Sequence, residues 1–170
     1  NEDEKLVDFE SFIIEPSDDV RTAYAKVDDT ALKMIQRVIP KIYDGSLVPV
    51  DQDSSKATRY YKRTPKDGQV SLLWDSTKIC DYVRALTHPY PGAFIHSNKG
   101  KLLLWQASQG PDLSAFPGSV CEISTDNGIL IACGSGGSVW LRCLSHDGIE
   151  HPASKWAEIN NISTGDRIID

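Results

Sequence analysis

The hydrophobic pattern changes period along the chain. Val7 and Phe9 alternate with Asp8 and Glu10, and Phe12, Ile13 and Ile14 close the run before Pro16, which predicts a strand over residues 7–14. From residue 18 the period is helical: Val20, Ala23, Tyr24, Val27, Ala31, Met34, Ile35, Val38 and Ile42 recur at steps of three and four. The spacing predicts an amphipathic helix over residues 18–44, capped by Ser17 or Asp18 and brought to its end by Pro40 and Gly45. One strand cannot cover such a helix, so residues 1–52 read as the tail of an α/β domain whose body lies elsewhere. Breakers fill the connector that follows: Gly45, Pro49, Pro65 and Asp67-Gly68.

A second helix is predicted after Asp75 or Ser76, with Ile79, Tyr82, Val83 and Leu86 on one face, stopping at His88-Pro89-Tyr90-Pro91-Gly92. Beyond it the period shortens to two. Runs 93–96 and 101–106 flank Asn98-Lys99-Gly100, and runs 119–123 and 129–133 flank Asp126-Asn127-Gly128, which are two hairpin signals. A strand over 138–144, a short helix around 152–159 and a final strand at 167–169 complete the reading. Five or six short strands in this span predict a small barrel, and the class is α+β.

The 170 residues are 40% hydrophobic and 25% charged, an ordinary globular mix. No apolar run reaches the ~20 residues of a membrane helix. Four cysteines without a CxxC pair predict a reduced, cytoplasmic protein, and the start at Asn1, without Met, predicts a piece of something longer. Charge is divided unevenly. Residues 1–52 carry six Lys/Arg against twelve Asp/Glu, and residues 53–170 carry twelve of each, so the whole net charge of −6 sits in the first third. That division argues against a broad nucleic-acid-binding face and leaves room for one local basic strip: Lys56, Arg59, Lys62, Arg63 and Lys66, without an acid among them.

Several stretches resemble one family. VRALTHPYPGAF (83–94) is similar to the signature that opens the C-terminal domain of 10-formyltetrahydrofolate-dependent formyltransferases, and YYKRTPKDGQVSLLW (60–74) resembles the linker before it. KLLLWQA (101–107), PGSV (117–120), GILIACGSG (128–136) and GDRI (165–168) follow in the family's order. Upstream, IEPSDDVRTAYAKV (14–27) resembles the segment after the family's catalytic Asp. The resemblance implies a remnant of a Rossmann-like catalytic domain at 1–52, a basic linker at 53–70 and an OB-like barrel at 71–170. It also implies transfer of a formyl group from 10-formyltetrahydrofolate to a primary amine, with catalysis by an Asn, a His and an Asp. The H-x-S-L-L-P segment that carries the family's His is absent from the sequence. The nearest trace of the Asp segment is Glu2-Asp3-Glu4-Lys5-Leu6-Val7, which lacks the glycine and offers Asp3 or Glu2 as the relic. No turnover, and no binding of the folate co-substrate, is therefore expected of residues 1–170 alone.

The other constellations are weighed against structural readings. Gly134-Ser135-Gly136-Gly137 leads into a strand rather than a helix, so it reads as a turn and not as a phosphate loop. Cys143, His146 and His151 have loose zinc-like spacing but sit beside the turn residues Asp147-Gly148, so no metal is expected. His88 and His96 have no carboxylate beside them in sequence and read as a turn residue and a strand-face residue. The basic strip is different. Lys56, Arg59, Lys62 and Arg63 can pair with phosphate oxygens while Tyr60 stacks on a base. Under the resemblance the acceptor is a nucleotide-linked amino sugar. The alternatives are a methionyl-tRNA, or a binding module without chemistry. The expected partner is a missing catalytic half, or a second copy through helix 18–44.

Overall fold

The computed structural model describes residues 5–169, so Asp3 lies outside the described residues. The chain divides into two compact units, one ending at Arg63 and one beginning at Thr64.

The first unit holds one long helix, α1 (Val20–Tyr43), and a two-residue ladder of β1 (Lys5–Leu6) with β2 (Val50–Asp51). The predicted strand over 7–14 does not form. Strand conformation needs a neighbour to take its backbone groups, and no strand runs beside this segment among the described residues. Ion pairs hold it instead: Arg37 on α1 donates to Asp8 at 2.6 Å, to Glu10 at 2.5 Å and to the Phe9 carbonyl at 3.1 Å. The cap of α1 is Asp19, not Ser17 or Asp18. Its carboxylate accepts from the Arg21 and Thr22 amides, while Asp18 accepts from Lys26 and from the Glu15 amide. No residue of α1 is fully buried: Val20, Ala23, Met34 and Val38 of its apolar stripe are half-buried, and Tyr24, Val27, Ala31, Ile35 and Ile42 are exposed.

The second unit is built on a six-stranded antiparallel sheet. Its strands are β3 (Ala93–Ser97), β4 (Gly100–Gln109), β5 (Val120–Ser124), β6 (Gly128–Ala132), β7 (Ser138–His146) and β8 (Ile149–Pro152). They lie in the order β3-β4-β7-β6-β5, with β8 paired to β7. The predicted hairpins form. The final strand at 167–169 does not, and only a single bridge joins Arg167 to Ser119. That bridge has a large effect nonetheless. Val120 donates to Asp166 at 2.8 Å on one side, and Asn98 donates to Ile168 at 3.0 Å on the other, so residues 165–168 join the β5 edge to the end of β3 and close the sheet into a small barrel.

Two helices flank it, α2 (Ser76–Leu86), capped by Asp75, and α3 (Ala153–Ile159). Ile79 and Val83 of α2 and Trp156 of α3 are buried in one cluster with Leu102, Leu104, Ile129, Leu141 and Leu144. A β-bulge in β4 between Leu104 and Ala107 breaks the alternation there, and Leu104 and Trp105 are both buried.

Candidate functional site

The strip singled out by sequence lies open. Lys56 closes a short 3₁₀ turn capped by Asp53 and sits 3.4 Å from that carboxylate. Residues 57–64 then run without regular structure. Arg59, Lys62 and Arg63 are exposed and form no ion pair among the described residues, and the rings of Tyr60 and Tyr61 are 86% and 99% exposed. The structure does not gather these groups into a pocket. It presents four cations and two bare aromatic rings along an irregular run, a form suited to wrapping an anionic ligand.

On the barrel, side chains distant in sequence meet around Trp105. Its indole N–H donates to Ser145 Oγ at 2.7 Å, the His88 ring stacks on it at 3.9 Å, and Thr87 donates to its carbonyl at 3.0 Å. Gly92 lies against the other part of the ring, where an added Cβ would come within 2.8 Å of Cζ3. The residues of 83–94 and of 101–107 therefore form one packing unit. His88 is not without a carboxylate, as its sequence neighbours suggested: Glu150 Oε2 is 3.2 Å from Nε2, brought there by the β7–β8 hairpin. Glu150 was missed because β8 was missed. The alternation Ile149-Glu150-His151 after Asp147-Gly148 was the available signal.

Glu150 also accepts from Cys143 Sγ at 3.0 Å. That bond, together with His88, holds its carboxyl below the usual range, while burial and the carboxylate push the Cys143 thiol up to about 12. Burial and the neighbouring negative charge of Glu150 disfavour a thiolate, so the thiol stays protonated and this trio is not an activated nucleophile. His146 Nε2 is 2.7 Å from the Lys99 carbonyl and so pins the β3–β4 turn. Cys143, His146 and His151 do not converge on one point, and among the described residues no three His, Cys, Asp or Glu side chains are arranged around a metal.

The glycine run 134–137 is a turn between β6 and β7. The Gly134 amide donates to the Trp74 carbonyl at 2.9 Å, and an added Cβ would lie 1.9 Å from the Leu73 carbonyl oxygen. Here the stretch 128–136 meets the end of 60–74, so a second pair of sequence motifs proves to be one contact.

A sequence model of the formyl transferase C-terminal domain matches residues 62–161. The chain belongs to this family. Among solved structures, a variant of HypX from Aquifex aeolicus superposes with a TM-score of 0.74 at 19% identity, over 96% of this chain and 30% of that one. A structure of the same protein with tetrahydrofolic acid gives 0.59 at 19% identity, over 75% and 22%. Methionyl-tRNA formyltransferase from Clostridium thermocellum is 36% identical over 42% of this chain and 32% of that one, with a TM-score of 0.36. The likeness to HypX is one of fold, and the chain spans about 30% of the HypX chain. In this formyl transferase C-terminal domain the stretches 83–94 and 101–107 pack on one another, as do 128–136 and the end of 60–74, and residues 56–63 are exposed.

Proposed function

We propose that this chain is the C-terminal portion of a formyltransferase that moves a formyl group from 10-formyltetrahydrofolate to the primary amine of a nucleotide-linked sugar. The amine nitrogen attacks the formyl carbon, the bond from that carbon to the folate nitrogen breaks, the amine gives up a proton and the folate nitrogen gains one. The role assigned to this chain is binding. The observation that carries the reading is the uncovered cationic run, Lys56, Arg59, Lys62 and Arg63, with the exposed ring of Tyr60 among them. Its size suits a pyrophosphate with a base stacked beside it, and the neutral charge balance of residues 53–170 offers little to a long RNA backbone.

The test is charge reversal, Arg59→Glu with Arg63→Glu, in the formyltransferase that contains this chain. KM for a nucleotide-linked amine should rise about tenfold or more with kcat little changed, because the phosphates are remote from the reacting amine. A tRNA acceptor would instead show a salt-dependence slope reduced by about one per removed charge. Parent-like behaviour with both acceptors would leave the strip a solvated connector and end this reading.

A further inference from the structure

The barrel's closure leaves a defect. Along the outer edge of β3, the Phe94 carbonyl accepts from Val70 at 2.7 Å, and the Asn98 amide donates to Ile168 at 3.0 Å. Outward-facing backbone groups recur at every second residue of a strand, so His96 directs its N–H and C=O to the same edge. Neither finds a backbone partner there among the described residues. Residues 94 and 98 are about 13 Å apart along an extended strand, and both ends of that interval are occupied, so the gap admits about one residue.

A cleft of about 640 Å³ opens over this point. Its lining includes Leu73 and Phe116, which are 71% and 79% exposed, together with Trp74, Ile95 and His96. Arg167 is the one lining residue with a full charge, it is exposed, and its side chain makes no ion pair among the described residues. Among the described residues no carboxylate lines the cleft.

We propose that this cleft captures the C-terminal end of a partner's polypeptide chain, one that finishes in an apolar residue. The last residue fills the one-residue gap. Its N–H donates to the His96 carbonyl, its α-carboxylate accepts from the His96 N–H and from Arg167, and its side chain lies against Leu73 and Phe116. An internal strand would collide with residues 70 and 168 at its two ends, whereas a terminus needs an exit on one side only, where its chain turns out of the sheet before Ile168. Free donor and acceptor groups at a single residue match a peptide end better than a simple anion.

Amide NMR of the full chain titrated with a pentapeptide ending in phenylalanine tests this. Before addition, the His96 amide should exchange faster than that of Ile95. With the free-acid peptide, the His96 amide and Trp74 indole signals should shift to saturation with a Kd below about 1 mM. The C-terminal amide of the same peptide should bind at least about tenfold more weakly, as should the acid to Arg167→Gln, and Phe116→Ser should weaken binding without moving the other signals. Absence of saturation, equal binding of the amidated peptide, or phenylacetate binding as tightly as the pentapeptide would each overturn the proposal.

Discussion

The two units make opposite use of apolar residues. In the second, residues from β3 to α3 interlock around a common centre, where Leu104, Ile129, Leu144 and Trp156 are almost wholly buried. In the first, α1 carries as regular an apolar stripe as any in the chain and buries none of it fully; Met34 and Val38 are half-buried, Ile35 is 52% exposed and Ile42 is 58% exposed. Capping by Asp19 and the grip of Arg37 on residues 8–10 organise that unit in place of a core. A helical period therefore reports a face that can be buried, and only a second layer decides whether it is.

Large-to-small substitutions sharpen this contrast most. Trp156→Ala should cost about 3–5 kcal/mol in urea denaturation of the second unit, since it removes a fully packed indole. Ile35→Ala should stay within about 0.5 kcal/mol. A large loss at Ile35 would mean that the stripe is covered in solution, and sedimentation would then show whether a second copy covers it.

Next in size is Gly134→Ala. The new methyl would press on the Leu73 carbonyl, and the backbone has to move, at a cost of about 1–3 kcal/mol. An unchanged urea midpoint would show the 73–134 contact to be loose.

The pH limits of the two units should also differ. Burial raises Cys80 and Cys133 to about 11 and Cys143 to about 12. A thiol raised on folding stabilises fully below its ordinary value of 9.0 and loses that contribution as pH climbs toward the folded value. The second unit should therefore weaken between pH 9 and 12, less steeply in Cys80→Ala. Asp18 behaves in the opposite sense. Held down to about 2 by Lys26 and the Glu15 amide, it stabilises above its ordinary 3.8 and fails as pH falls toward 2, so the helical circular dichroism of α1 should decline there, and less so in Asp18→Asn.

The smallest effect is expected at the basic run. Arg59→Glu with Arg63→Glu should leave both unfolding midpoints where they are, because neither side chain is paired or covered. A shift in either midpoint would reveal a structural partner for the strip.

Periodicity made α1, α2 and the hairpins legible, because each is a local pattern with a local boundary, such as the N-cap Asp75 or the turn Asp126-Asn127-Gly128. The alternation at 7–14 yields no strand for the complementary reason: it specifies a face but supplies no neighbour. Glu150 beside His88 depends on pairing 62 residues apart, and the 165–168 seam depends on backbone bonds that leave little trace in side-chain pattern. Of the candidate site, the residue types of the strip were plain from sequence. Its openness was not, since an exposed and a converging basic run read alike.

The seam at residues 165–168 has a consequence for the order of events during synthesis. Asn98 and Ile168 bond across 70 positions, so two hydrophobic sheet margins stay raw until almost the whole domain has left the ribosome. At about 5–20 residues per second, that interval lasts several seconds. Raw strand margins invite pairing with other nascent chains. The domain's greatest hazard therefore falls before it is finished, and chaperone demand should track the time to reach residue 168 rather than the stability of the completed barrel.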